Sequence, residues 1–183
     1  MKILLLLFSG TNNTYEVARL MTSDFVSQGH ECDIIRVDID TPFADLNGYD
    51  LIGFGYPIYA FNEPRFFWRY IKKLFLNKQA KYFVFKSSGE TLALNNASSR
   101  RIIRHLRRAK CEVLGDYHFV MPYNIHFRFD DAFVKEILQY DQKLSKIAVY
   151  NILHNRQSFL KSNFVYDFLA WVIGIQRPGA TIN

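Results

Sequence analysis

Lys2-Ile3-Leu4-Leu5-Leu6-Leu7-Phe8-Ser9-Gly10-Thr11-Asn12-Asn13-Thr14 is the stretch from which the rest of the chain is read. From Ile3 to Phe8 every residue is apolar. A strand with one wet face alternates apolar and polar residues, whereas a strand apolar on both faces belongs to a parallel sheet covered by helices on each side. Ser9 to Thr14 is polar and turn-prone, and a helix from about Thr14 to Gln28 follows. Val17, Leu20, Met21 and Phe25 form its apolar stripe, and Gly29 stands where a C-terminal cap belongs. The loop between them places hydroxyls, small residues and backbone N–H groups at the positive end of a helix, which is an anion site. It has neither Gly-x-Gly-x-x-Gly nor Gly-Lys-Ser/Thr. Hydroxyls without a lysine suit one phosphate monoester held by hydrogen bonds alone. Taken by itself, the loop also reads as a polar turn that only caps the helix. The apolar run is short for a signal peptide, and Ser9 to Asn13 lacks a small-residue cleavage site.

Working outward, strand and helix continue to alternate. Strands are expected at Cys32–Val37, Asp50–Gly55, Tyr82–Phe85 and Glu112–Val120. Pro64 opens a helix carrying Phe67, Tyr70, Ile71 and Leu74; further helices are expected at about Ala97–Lys110 and Asp131–Asn155, the last capped by Asp130 or Asp131. This is an α/β chain with a five-stranded parallel sheet and helices on both faces. Its ligands belong outside the carboxyl ends of the strands. With 183 residues, 49% hydrophobic and 22% charged, the chain is one domain's worth of globular protein. Cys32 and Cys111 have no neighbours in zinc spacing, so no metal site is expected. The apolar stretch Phe164–Ile175 is interrupted by Asp167 and too short to span a membrane, and a cytoplasmic protein is expected.

Two further loops share the functional edge. Tyr56-Pro57-Ile58-Tyr59-Ala60-Phe61-Asn62 follows the third strand and brings Tyr56, Tyr59 and Phe61 to it, where rings can stack on a planar ligand. Lys86-Ser87-Ser88-Gly89-Glu90 follows the fourth, and its N–H groups and hydroxyls suit a polar ring edge. Closure of the core is the plainer role for any one of these aromatics. Glu90 either bonds a ring N–H or caps the next helix. His126 and Arg128, beyond Met121-Pro122-Tyr123-Asn124, are candidates for a substrate side.

Phe8-Ser9-Gly10-Thr11-Asn12-Asn13-Thr14 resembles the FMN-phosphate loop of flavodoxins, with Asn12 where they commonly carry Gly. Asn tolerates left-handed backbone better than most residues. Gly53 to Asn62, Ser88-Gly89-Glu90, Asn95 to Ser99 and Met121 to Asn124 together resemble the flavodoxin domain of a flavodoxin–ferredoxin fusion family, over nearly the whole chain. The resemblance implies a doubly wound flavodoxin-like sheet of order 2-1-3-4-5. It implies FMN held by Ser9, Gly10, Thr11, Asn12, Asn13 and Thr14, by Tyr56, Pro57, Ile58, Tyr59, Ala60, Phe61 and Asn62, and by Ser87, Ser88, Gly89 and Glu90. It also implies electron transfer with a ferredoxin or another redox protein. No Cys-x-x-Cys-x-x-Cys run is present. Residues 1–157 are therefore expected to form the FMN-binding domain and 158–183 an extension, the possible lead-in to a ferredoxin. Phe159, Phe164, Phe168 and Trp171 in that extension, at helical spacing, are expected to pack.

The formal net charge is +6, which favours anionic partners. Arg100 to Lys110 forms a basic amphipathic helix: a solvated face on the plain reading, a docking face for an acidic redox protein on the other. It lacks the exposed aromatics of a base-stacking platform, so nucleic acid is not expected. An NAD(P)H-dependent FMN or quinone reductase, and a flavin-free binding module, remain as alternatives.

Overall fold

The computed structural model describes residues 1–90, 92–122, 130–161 and 164–175. Strands β1 (Lys2–Leu7), β2 (Glu31–Arg36), β3 (Leu51–Pro57), β4 (Lys81–Ser88) and β5 (Glu112–Val120) pair in parallel in the order β2-β1-β3-β4-β5, as expected. Helices α1 (Asn13–Ser27), α2 (Arg65–Lys73), α3 (Arg100–Arg108), α4 (Asp131–Leu153) and α5 (Phe164–Ile175) complete the chain.

The strand alternation divides the apolar residues between two layers. Leu4, Leu6, Ile52, Phe54, Tyr82 and Val84 pack with Phe67 and Ile71 of α2 and Ile102 and Leu106 of α3. Ile3, Leu5, Leu7, Phe83, Phe85 and Phe119 pack with Val17, Met21 and Phe25 of α1 and Ala148 and Val149 of α4. Each fully buried side chain of this size contributes about 1.5–3 kcal/mol. This explains why β1 is apolar on both faces. Gly53 and Gly55 make room for the neighbouring strand: a β-carbon there would stand 2.4 Å and 2.1 Å from the rings of Phe83 and Phe85.

The elements depart from the sequence expectations chiefly where polar residues are internally satisfied. β4 runs on through Lys86, Ser87 and Ser88, expected as loop, because each finds a side-chain partner, on β5 for Lys86 and Ser88 and at the start of α1 for Ser87. Residues Ala93–Ser99 form a 3₁₀ helix, so the α-helix begins at Arg100 rather than at Ala97. There Ser98 donates to the Asn95 carbonyl at 2.8 Å, a local bond that competes with the α-helical ladder. α3 ends at Arg108 rather than Lys110, because Lys110 turns left-handed (φ 63°) and Cys111 N–H bonds back to the Leu106 carbonyl. Asp130 is the cap of α4, accepting from Ala132 N–H at 3.4 Å.

The segment after α4 returns to the sheet. Ser158 N–H donates to the Leu114 carbonyl and Asp116 N–H to the Ser158 carbonyl, both at 2.9 Å. A β-carbon on Gly115 would lie 2.1 Å from that Ser158 oxygen. Phe159 packs on the α2–α3 layer beneath the Arg107 guanidinium, 4.7 Å from its ring centre. Phe168 of α5 is 52% exposed, beside exposed Val165 and Leu169. The side chains of Phe164 and Trp171 lie outside the described residues. Among the described residues, no helix is long and apolar enough to cross a membrane.

Candidate functional site

Parallel pairing brings the strand ends to one edge. Leu7 stands beside Arg36 and Gly55, Pro57 beside Ser87, and Ser88 beside Val120. The loop after β1 begins there. Ser9 and Thr14 are buried, while Gly10, Thr11 and Asn12 are exposed. Ser9 Oγ accepts from Tyr15 N–H at 3.3 Å. Asn12 is left-handed (φ 67°, ψ −9°), and its carbonyl accepts from Glu16 N–H at 2.9 Å, starting α1. Asn12 thus takes the left-handed backbone that asparagine tolerates better than most residues. Arg36 closes the loop from β2: Nη1 donates to Asn12 Oδ1 at 2.9 Å, and Nη2 to the Ser9 carbonyl.

The loops are cross-tied. The hydroxyls of Thr14 and Ser87 lie 2.8 Å apart, both buried. Ile58 N–H donates to the Ser87 carbonyl at 2.8 Å, Asn13 Nδ2 to the Pro122 carbonyl at 3.0 Å, and Met121 N–H to the Ser88 carbonyl at 2.9 Å. Tyr59 and Asn62 exchange backbone bonds of 2.8 and 3.1 Å around Ala60 (φ 44°) and Phe61 (φ 64°). Two consecutive left-handed residues make this a type I′ turn. It carries Tyr59, 45% exposed, edge-on to Phe8 at 6.3 Å. Its hydroxyl sits over Gly10, where a β-carbon would stand 2.8 Å from it.

Tyr56 departs from expectation. Its ring is fully buried in the α2–α3 layer, with its hydroxyl 3.4 Å from Ser98 Oγ, so it does not reach the edge as a stacking surface. Burial, with Glu63 close by, pushes its phenol well above the ordinary range. Alternation places it inward: Tyr56 shares a face with Phe54. Pro57, Ile58, Phe61 and Asn62 are half-buried and Ala60 is exposed.

Ser88 organises the loop after β4. It donates to the Glu90 carbonyl at 2.6 Å and accepts from Asn95 Nδ2 at 3.3 Å. His118 Nε2 lies 2.7 Å away, and Glu90 N–H also donates to the Ser88 hydroxyl at 3.3 Å. Burial and the nearby Lys86 charge push His118 down to about 4, so it is neutral near pH 7. Gly89 is half-buried and Glu90 is exposed. Beneath them Lys86 is fully buried, its Nζ 3.0 Å from Asp116 Oδ2, 3.0 Å from Ser99 Oγ and 3.2 Å from the Asn96 carbonyl. Burial pulls its pKa down and Asp116 opposes. Asp116 Oδ1 accepts from Leu160 N–H at 2.9 Å, so the same ion pair anchors the returning segment.

The candidates on the loops after β1, β3 and β4 are thus gathered at one edge, with Tyr56 beneath it. His126 and Arg128 lie outside the described residues. Arg36, Asn95 and His118 were missed. Arg36 carried no local signal, because its contact exists only once β2 lies beside β1. Asn95 stands in one of the stretches that carry the resemblance, but its bond, like that of His118, depends on where Ser88 falls.

Solved structures match the chain over most of its length. A flavodoxin from the domain Archaea aligns with a TM-score of 0.58 at 16% identity, over 84% of this chain and 100% of that one. Flavodoxin 1 from Bacillus cereus aligns with a TM-score of 0.51 at 18% identity, over 80% of this chain and 98% of that one. The fold is that of the flavodoxins. A mutant of the flavo di-iron protein from Thermotoga maritima matches with a TM-score of 0.57 at 13% identity, over 84% of this chain but 35% of that one. No protein-family model matches the chain, and no curated protein matches it by sequence. In a flavodoxin fold the strand order switches between β1 and β3, and ligands bind in the crevice above that point. Here Phe8 N–H bonds the Gly55 carbonyl at 3.0 Å across the switch, and the Asn12 and Tyr59 loops meet directly above it.

Proposed function

We propose that this chain binds FMN non-covalently at the carboxyl edge of the sheet and exchanges electrons with a redox protein, an acidic ferredoxin being the partner that best fits its charge. The observation that carries the reading is the buried hydroxyl set Ser9, Thr14 and Ser87 at the N-terminus of α1. Ser9 Oγ accepts from Tyr15 N–H, which leaves its own proton for an oxyanion. Thr14 and Ser87 spend one proton on each other and keep a second. Unspent hydroxyl donors at the positive end of a helix fit a phosphate monoester.

FMN, once bound, supplies one- and two-electron transfer. The chain's part is to hold and shield it. Ser9 to Thr14 would hold the phosphate. Tyr59, and the half-buried Phe61 and Ile58, would cover a ring face and exclude water. Pro57, Ala60 and Asn62 shape that turn, and the backbone of Tyr56, Ser88, Gly89 and Glu90 would meet the polar ring edge. The docking surface would be α3. Arg104, Arg107 and Arg108 are exposed on it, and Arg101 lies 4.9 Å over the Trp68 ring while pairing with buried Glu63. Glu63 follows the Tyr59 turn, so the basic face and the proposed flavin loop are joined by an ion pair.

The test is the visible spectrum of the purified protein before and after FMN is added, followed by NAD(P)H. The expected result is a bound two-banded flavin spectrum with almost no NAD(P)H oxidation. Rapid oxidation would make the protein a reductase. A folded protein that takes up no FMN would leave a flavin-free binding module.

A further inference from the structure

We propose that Arg36 is a positioning residue of the phosphate loop: it holds Asn12 in its left-handed turn, orients the Ser9–Gly10 peptide and adds one positive charge beside the anion. This rests on the FMN reading. Arg36 is the last residue of β2 and pairs in register with Leu7, two residues before Ser9. Its guanidinium is exposed and reaches back over the loop to two acceptors, Asn12 Oδ1 and the Ser9 carbonyl.

Each contact has its own consequence. Left-handed backbone is less favourable for asparagine than for glycine. Asn12 is held there by a side-chain bond that glycine does not have and does not need. The second contact acts on a peptide plane. In a trans peptide the C=O and the following N–H point to opposite sides. With the Ser9 carbonyl held toward β2, the Gly10 N–H points away from β2.

The third consequence is electrostatic. Ser9, Thr14 and Ser87 are neutral donors, whereas a phosphate monoester carries up to two negative charges. Both groups that Arg36 donates to are neutral, so its charge is not cancelled by them. Glu16 lines the same surface hollow, about 480 Å³, with Asn12, Tyr15, Ile34 and Arg36. Its carboxylate is taken by Arg19 at 3.0 Å. The fork of a guanidinium supplies geometry and charge together, which a lysine does not.

The experiment titrates FMN and riboflavin, which lacks the phosphate, into the wild type and into R36M, R36K, N12G and R36M/N12G, each checked for folding by circular-dichroism melting. R36M is expected to lose about ten- to hundredfold in FMN affinity, the range of hydrogen bonds to charged groups. Riboflavin affinity should stay within about threefold of wild type. The salt dependence of FMN binding should fall with the lost charge. N12G should recover part of the loss in the R36M background, because glycine takes the left-handed turn unaided. R36K should restore the salt dependence and only part of the affinity. Equal loss for FMN and riboflavin, or an R36M variant that binds FMN as the wild type does, would overturn the proposal. A folded wild type that binds neither flavin overturns the FMN reading itself, and this assignment with it.

Discussion

Ala60 and Phe61 stand consecutively in left-handed backbone, a conformation that glycine and asparagine take with far less strain. The turn persists because Tyr59 and Asn62 close it with two backbone bonds. Replacing Ala60 with glycine should relieve the strain and stabilise the fold by about 0.5–1 kcal/mol net of the extra chain entropy. Urea unfolding of A60G would measure it, and a variant less stable than wild type would refute the strain argument. Little of this was legible beforehand. Tyr59-Ala60-Phe61-Asn62 contains no glycine, so nothing local marks a type I′ turn. Asn12 was more readable, because its place in the motif and its tolerance of left-handed backbone agree. Its partner Arg36 was not, since that contact exists only once β2 lies beside β1.

At the scale of elements, the buried Lys86–Asp116 pair binds four pieces of chain: β4, β5, the 3₁₀ segment through Ser99 and Asn96, and the segment at Leu160. Truncating the lysine, as in K86M, would strand a buried carboxylate. The expected cost is about 3–5 kcal/mol, with the K86M/D116N pair recovering part of it by removing the charge while keeping an acceptor for Leu160 N–H. Chemical denaturation of both variants checks this, and an unchanged K86M would show that the pair adds nothing. The same residues explain the errors in reading the elements. Lys86-Ser87-Ser88 looks like loop because its polarity is visible in the sequence and its partners, on β5 and at the start of α1, are not. β5 itself, with no such conflict, was bounded correctly as Glu112–Val120.

For the whole molecule, two titratable groups, half-buried His118 and buried Asp141, oppose one another. Falling pH protonates His118 near 6.5 in the unfolded chain but only near 4 in the folded one, so acidification favours unfolding across that window. Burial pushes the Asp141 carboxyl up to about 7, against the pull of the Val120 amide. The folded state therefore keeps a proton that the unfolded chain releases near 3.8, and rising pH favours unfolding up to about 7. Between about 4 and 6.5 the two slopes cancel. Relative to wild type, D141N should gain stability as pH rises through that range, and H118Q should lose it. Melting temperatures across the range would decide, with parallel curves for all three proteins counting against both assignments. The overall architecture was the most legible level: the layering follows from hydrophobic periodicity, and the resemblance supplied the strand order. These opposed groups were the least, because burial is a property of the assembled molecule.

The return of Ser158 to β5 has a consequence for how copies of the chain meet. An open sheet ends in two rows of backbone groups that can template another sheet. On one side, the Leu114 carbonyl and Asp116 N–H are already taken by Ser158, with Gly115 making that close approach possible. On the other, β2 exposes Glu31, Asp33 and Arg36. One margin is capped by the chain itself and the other is guarded by charge, so neither offers a clean ladder for cross-β growth at high concentration.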